Sequence, residues 1–302
     1  MSALRELAPA KINLGLTLGP LREDGRHRLV TLMQPVALCD SLELVPAELG
    51  SSGDQTICAG VEGENLVDKA VAGFRQASGW RGAAVQIEIA KKIPVAAGMA
   101  GGSADAGAAL RLLSRVSGIA DEEMLMSVAR ELGADVPGQL QPRRYLASGA
   151  GEELRALPEV APFGVLVVPS DHRLSTADVF KEADRLALPR SAAELESRHA
   201  ELVCALVAGA AFAPPELLVN DLEPAAVSLA PELAWTLDEV RGAGAEHAMI
   251  CGSGPTVIGL FSDLGGARGA ALALSGRTPA PFAVEPWYPT VIPTANTDRA
   301  AE

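Results

Sequence analysis

With 302 residues, 48% of them hydrophobic and 21% charged, the chain can build two domains around a sizeable core, and its composition excludes a disordered protein. A formal net charge of −13 excludes a surface built for nucleic acid or anionic lipid, so an anionic ligand needs a local positive site. Cys39, Cys58, Cys204 and Cys251 share no Cys-x-x-Cys spacing, which points to reduced thiols rather than a zinc site, other metal cluster or disulfide frame.

The first residues lack the basic start and apolar centre of a signal peptide, and the longest apolar run, 202–212, is too short to span a bilayer. A cytoplasmic protein is expected. Alternation from Ile12 predicts a strand over 12–18, with Lys11 and Asn13 on one face and Ile12, Leu14 and Leu16 on the other. Residues 22–28 form a polar turn around Asp24-Gly25 that concentrates Arg22, Arg26, Arg28 and His27; it reads as a solvated hairpin tip or as an anion clamp. Strands follow over 31–36 and 40–45, then a loop over 48–54 and a weaker strand over 56–61. Residues 65–78 carry apolar side chains at helical spacing, with Asn65 placed to cap the helix.

Ala84 to Ile89 alternates as a half-buried strand, and 103–116 is an Ala- and Leu-rich helix. The loop between them, Pro94-Val95-Ala96-Ala97-Gly98-Met99-Ala100-Gly101-Gly102-Ser103-Ala104, holds three glycines and three alanines between Pro94 and Gly102. Such tiny residues leave backbone N–H groups uncovered and deliver them to a helix N-terminus, where the dipole adds about half a positive charge. Both features attract phosphate, and Ser103 at the helix start can cap it or offer a hydroxyl. The alternative is a tight turn into a close-packed helix. No Lys follows Gly102 and the glycines stand at 98, 101 and 102, so the loop is neither Gly-x-x-x-x-Gly-Lys-Ser/Thr nor Gly-x-Gly-x-x-Gly.

Asp121 caps a further helix with carboxylates in its first turn, ended by Gly133, and Asp135 lies between this stop and Val136-Pro137. A continuous apolar strand is predicted over 163–169, beyond a proline-flanked stretch at 157–162 that marks a domain seam. Helices are predicted over 176–186, 192–209 and 229–242, separated in part by Asn220 to Pro224. Residues 247–261 read as strand, Gly252-Ser253-Gly254 turn and strand; a helix over 266–275, a strand over 282–287 and a frayed tail from Ile292 complete the chain.

Taken together, Pro9-Ala10-Lys11-Ile12-Asn13-Leu14, the loop at 94–106 and the turn at 252–254 stand in the order of the three motifs of the GHMP kinases, which this chain resembles. Asp24-Gly25-x-His27, Asp105-Ala106 and Leu132-Gly133-Ala134-Asp135-Val136-Pro137 are similar to the branch acting on a cytidine-diphosphate-linked polyol. The resemblance runs from about Ala8 to Phe261. It implies an α+β, two-domain GHMP kinase fold, 1–158 and 159–302, with the active site in the interdomain cleft. It also implies phosphorylation of a hydroxyl by ATP with Mg²⁺, in non-mevalonate isoprenoid synthesis.

By that resemblance Lys11 and Asp135 are catalytic, Asp135 accepting the hydroxyl proton and Lys11 orienting it. Asn65 and the loop, Pro94 to Ala104, bind ATP; Asn13, His27, Thr176 and Phe180 bind the small-molecule substrate. The resemblance departs at Arg26, where the branch carries an aromatic residue for the cytosine, and at Ala96 and Ala100, where glycine is common. Those departures leave open a diverged kinase for another alcohol, or a catalytically silent nucleotide-binding relative. The sequence is silent on oligomeric state.

Overall fold

The computed structural model describes residues 4–46, 53–61, 63–95, 97–207 and 214–288. Ala96, most of the loop at 48–54, the end of the apolar run at 202–212 and the tail from Ile292 lie outside the described residues. Two long strands open the chain, β1 (Leu4–Leu21) and β2 (His27–Pro46), joined through the Asp24-Gly25 turn and paired antiparallel. The sequence predicts two strands over 31–36 and 40–45, but β2 runs through Pro35 without a break. The register of the pair slips between Pro9 and Lys11 and again between Asn13 and Leu16, which lets the ribbon bend around Lys11 and Asn13.

A first sheet adds β3 (Gln55–Cys58), β4 (Val85–Ala90), β5 (Tyr145–Ser148) and β6 (Glu153–Ala156) to these two. Its order is β3-β4-β2-β5-β6 with β1 beside β2, and β3–β4 is its parallel pair among otherwise antiparallel neighbours. Helices α1 (Leu66–Ser78), α2 (Gly101–Ser117), α3 (Glu122–Leu132) and α4 (Val136–Leu140) pack with them. Asn65 caps α1 by accepting from the Val67 N–H, and Asp121 caps α3 by accepting from the Met124 N–H, both as the sequence predicts. A second, four-stranded sheet, β10-β7-β9-β8, is formed by β7 (Gly164–Val168), β8 (His247–Ile250), β9 (Val257–Phe261) and β10 (Phe282–Val284). Around it lie α5 (Thr176–Arg185), α6 (Ala192–Val207), α7 (Glu223–Leu229), α8 (Glu232–Gly242) and α9 (Leu264–Ala273). Of the separator expected at Asn220 to Pro224, Asn220 to Leu222 precede α7, while Glu223 and Pro224 form its first turn, where a missing N–H costs nothing.

Alternation along the strands explains how the sheets share a core. Val165 and Val167 of β7, with Ile258 and Leu260 of β9, join Ile12, Leu14, Leu32 and Phe74 in one apolar cluster. Leu166, Val168, Val257 and Phe261, on the opposite face, join Leu16, Leu18 and residues of α5, α7, α8 and α9 in another. Both faces of the second sheet are therefore dry, as the continuous apolar run of β7 requires. No helix among the described residues is long and apolar enough to cross a membrane.

Candidate active site

The tiny-residue loop leaves the end of β4 and enters α2, as the sequence predicts, but the helix starts at Gly101, not Ser103. Ala100 takes the cap position at φ 55, the left-handed region, and makes no side-chain capping bond. Ser103 therefore sits half-buried in the first helical turn instead of capping it, and Ala104 turns into the core. The amides of the first turn have no partner earlier in the helix and no acidic residue beside them. Unpartnered amides at the positive end of a 17-residue helix attract anions.

A cavity of about 360 Å³ opens over this loop, bordered by Asn65, Pro94, Val95 and the chain from Ala97 to Gly102. A second cavity, of about 310 Å³, is bordered by Lys11, Asn13, Asp135, Thr176, Phe180 and Ser253. Gly98 and Ala100 border both, so the loop is the wall between two chambers. Ser103 and Ala104 lie outside the lining of either.

In the second chamber the structure brings Lys11 and Asp135 together. Lys11 comes from the bulged stretch of β1 and Asp135 from the residue before α4, and their charged atoms stand 3.4 Å apart. Asp135 caps nothing with its side chain, so the carboxylate is left to the cavity. Lys11 Nζ donates to Asn13 Oδ1 at 2.8 Å; Asn13 Nδ2 donates to Thr31 Oγ1 at 2.8 Å, and Thr31 donates to the Gly15 carbonyl at 2.7 Å. That chain fixes the rotamers of Lys11 and Asn13 before any ligand arrives. The Lys11 N–H also donates to the Met99 carbonyl at 3.1 Å, tying the lysine's strand to the loop.

The glycine turn closes the chamber from the other sheet. A side chain at Gly98, which holds φ 70, would meet the Gly254 carbonyl oxygen at 2.9 Å and that of Cys251 at 3.0 Å. Asn220 Nδ2 donates to the carbonyls of Ile250 and Gly252 at 2.8 and 2.7 Å, while its Oδ1 accepts from the Leu222 N–H. Sequence reasoning saw Asn220 only as a separator; an amide that braces a remote turn leaves no local pattern. Thr176 Oγ1 and Ser253 Oγ, 3.0 Å apart, link the start of α5 to the same turn.

His27 stands behind this chamber, outside its lining. Its ring is 5.7 Å from that of Phe180; Nδ1 is 2.9 Å from the Gly19 carbonyl oxygen and Nε2 3.1 Å from Asp184. The arginines of the turn at 22–28, read from sequence as a solvated tip or an anion clamp, approach carboxylates. Arg22 pairs with Glu152 and Asp24, Arg26 folds onto Asp24, and Arg28 approaches Glu196.

Beneath the loop lies a charged cluster that sequence reasoning missed. Asp40 of β2 is fully buried; its Oδ1 accepts from the N–H groups of Lys92 and Ile93, and Oδ2 from Lys91 Nζ. Lys91 Nζ also donates to Asp105 Oδ2 of α2 at 2.7 Å. Burial pulls the Lys91 ammonium down, but the two carboxylates outweigh it and hold its pKa above the ordinary value.

Two family descriptions match this chain, the GHMP kinases N terminal domain over residues 65–141 and the GHMP kinases C terminal domain over residues 193–279. A 4-diphosphocytidyl-2-C-methyl-D-erythritol kinase of Nocardioides sp. is 39% identical over 89% of this chain and 92% of its own length. The protein of that name from Corynebacterium efficiens is 41% identical over 87% of each. The chain belongs to the GHMP kinases.

A solved 4-(cytidine 5'-diphospho)-2C-methyl-D-erythritol kinase superposes on this GHMP kinase with a TM-score of 0.77 at 33% identity, over 94% of this chain and 100% of that one. A homoserine kinase from Cytophaga hutchinsonii shares the fold, with a TM-score of 0.73 at 17% identity over 95% of each chain. The two matched regions carry the loop with α2 and the helices around the second sheet, the parts that meet at Gly98 and Gly254.

Proposed function

We propose that this GHMP kinase transfers the γ-phosphoryl group of ATP to the 2-hydroxyl of 4-diphosphocytidyl-2-C-methyl-D-erythritol, in the methylerythritol phosphate route to isoprenoids in the cytoplasm. The observation that carries this reading is the pair of chambers divided by Gly98 and Ala100, with Lys11 and Asp135 on the far side of the wall. A donor and an acceptor seated there would meet over the loop, which is the arrangement phosphoryl transfer needs. The relatives at about 40% identity support the choice of acceptor.

The amides of the loop and of the first turn of α2 would hold the triphosphate, with Asn65 at the chamber's edge. Asp135 would accept the proton as the hydroxyl oxygen attacks phosphorus, and Lys11 would orient that carboxylate and favour its ionised form. Asn13 would position the acceptor, Thr176 and Phe180 would close over the cytidine end, and His27 would support Phe180 from behind. Among the described residues no group of three or more His, Cys, Asp or Glu side chains is arranged as a metal cage. Mg²⁺ would reach the site with the nucleotide. When bound it would neutralise the charge that develops on the phosphoryl oxygens. We assign 1–158 to the ATP-binding domain and 159–302 to the C-terminal domain. The net charge of −13 favours a small-molecule partner over nucleic acid or a membrane surface.

The engaged nitrogens of His27 and the retracted Arg26 favour a second reading, a kinase for another nucleotide-linked polyol. ATP consumption measured with the cytidine substrate, with its uridine analogue and with neither separates the readings. Turnover that depends on the cytidine compound is expected. Equal turnover with both nucleotides would move the assignment to the second reading, and none with any acceptor would refute the kinase.

A further inference from the structure

The buried cluster beneath the loop has a feature that simple packing does not explain. One ammonium serves two carboxylates: Lys91 Nζ binds Asp40 and Asp105, whose side chains are 0% and 4% exposed. With both acids ionised the group carries an excess negative charge, set directly under the loop whose amides open the nucleotide chamber. Asp105 Oδ1 is buried and without a hydrogen-bond partner, while Asp105 and Lys91 both border the nucleotide chamber. An ionised oxygen in that state is costly, whereas a protonated one carries no charge.

The cluster also grips both ends of the loop. Asp40 holds the N–H groups of Lys92 and Ile93 just before Pro94, and Asp105 lies on α2 just after Ser103. Lys91 Nζ lies 3.3 Å from the place a side chain at Gly101 would occupy, so the ammonium backs the loop directly. Anything that changes the charge of this group changes the potential at the loop amides.

We propose that Asp40, Lys91 and Asp105 form a proton-linked brace for the phosphate loop, in which Asp105 takes up a proton when a nucleoside triphosphate binds. The proposal rests on the reading of the neighbouring chamber as the ATP site. Asp105 acts here as a positioning residue, since it reaches the phosphates through the loop. Burial pushes its carboxyl up to about 7 against the pull of Lys91, and the second carboxylate of Asp40 adds to the rise. Among the described residues, the other titratable groups bordering the chamber are Cys58 from β3, whose thiol burial pushes up, and Glu64 at the rim, paired with Lys69 at 3.0 Å, while Cys39 and Lys92 flank the cluster at Asp40. Incoming phosphates repel the ionised form, so binding raises the Asp105 pKa further. The sign follows: nucleotide affinity is highest where Asp105 is already protonated and falls as pH rises through about 7.

Calorimetric titration of MgATP into the whole chain, at saturating Mg²⁺ and in buffers of different ionisation enthalpy, counts the protons exchanged. Net uptake is expected in the wild type near neutral pH, with Kd rising by up to about tenfold per pH unit above it. Asp105→Asn keeps the side-chain volume and an acceptor for Lys91 but cannot titrate; it is expected to bind MgATP without that uptake and with a flatter Kd profile. Wild-type binding with no uptake and a flat profile would overturn the proposal while leaving the nucleotide reading intact, even if the variant failed to fold. Equal uptake in both proteins would overturn the part assigned to Asp105. Absence of MgATP binding in the folded wild type would overturn both.

Discussion

Lys11 stands 3.4 Å from Asp135, whose side chain is 32% exposed, while Lys91 stands 2.7 Å from Asp105, whose side chain is 4% exposed. The two lysines belong to the two chambers on either side of one loop. At Lys91 the contacts are short, both carboxylates are buried, and the backbone of the loop is tied into the cluster. At Lys11 the short contact is to Asn13, and the carboxylate stands 3.4 Å away on the cavity side, where an oxygen beside the pair can hydrogen-bond both groups. A hydroxyl placed beside an amine and a part-exposed carboxylate has an acceptor for its proton. An ion cluster whose carboxylates are buried has fixed geometry and little freedom to exchange partners. On the proposed function, the same residue types supply a reacting pair in one place and a rigid support in the other.

Removing the carboxylate of the open pair tests the reacting role most directly. Asp135→Asn keeps the shape of the side chain and is expected to lower kcat by about 10²–10⁴-fold, the usual worth of a positioned base. Denaturant unfolding of the same variant should shift by only about 0.5 kcal/mol, because the group is partly solvated. A variant with wild-type kcat would take Asp135 out of the chemistry.

The closed pair should respond in the opposite sense. Lys91→Met strands two buried carboxylates beside an apolar side chain and is expected to cost about 3–5 kcal/mol in urea unfolding. Lys11→Met leaves the half-exposed Asp135 unpaired and Asn13 Oδ1 without its donor, and should cost about 1–3 kcal/mol while abolishing most turnover. If both lysine variants unfolded at the same urea concentration, the contrast between a support and a reacting pair would be gone.

That contrast was only half legible in the sequence. Lys11 and Asp135 could be named because short motifs surround them, although no local pattern says that residues from β1 and from the start of α4 meet. Asp40 could not be named. Between Cys39 and Ser41 it looks like a surface position on an alternating strand, and its complete burial comes from the loop and α2 lying over it. The two halves of β2 were legible as strands, but their fusion through Pro35 depends on the slipped register against β1. The helix start was misplaced by two residues for a related reason. Gly101 and Gly102 look like loop formers in sequence, yet the left-handed turn is made one residue earlier, by Ala100, and both glycines are helical.

Gly98 lies where the two chambers adjoin, and its substitution is the mildest way to disturb the division. Its φ of 70 disfavours any side chain, and an added Cβ would come within 2.9 Å of the Gly254 carbonyl oxygen. Gly98→Ala is therefore expected to cost about 1–3 kcal/mol in stability, and kcat/KM should fall because the loop must move away from the glycine turn. Gly102 provides the internal contrast, since it is helical and has nothing within 4 Å of the position of a Cβ. In unfolding measurements Gly102→Ala should be neutral or stabilising by up to about 1 kcal/mol, through the lost freedom of the unfolded chain. Opposite signs at two glycines of one loop would locate the constraint in the contact with Gly254 and Cys251. Equal losses at both would instead mean that the whole loop resists side chains, and the wall between the chambers would have no special point at Gly98.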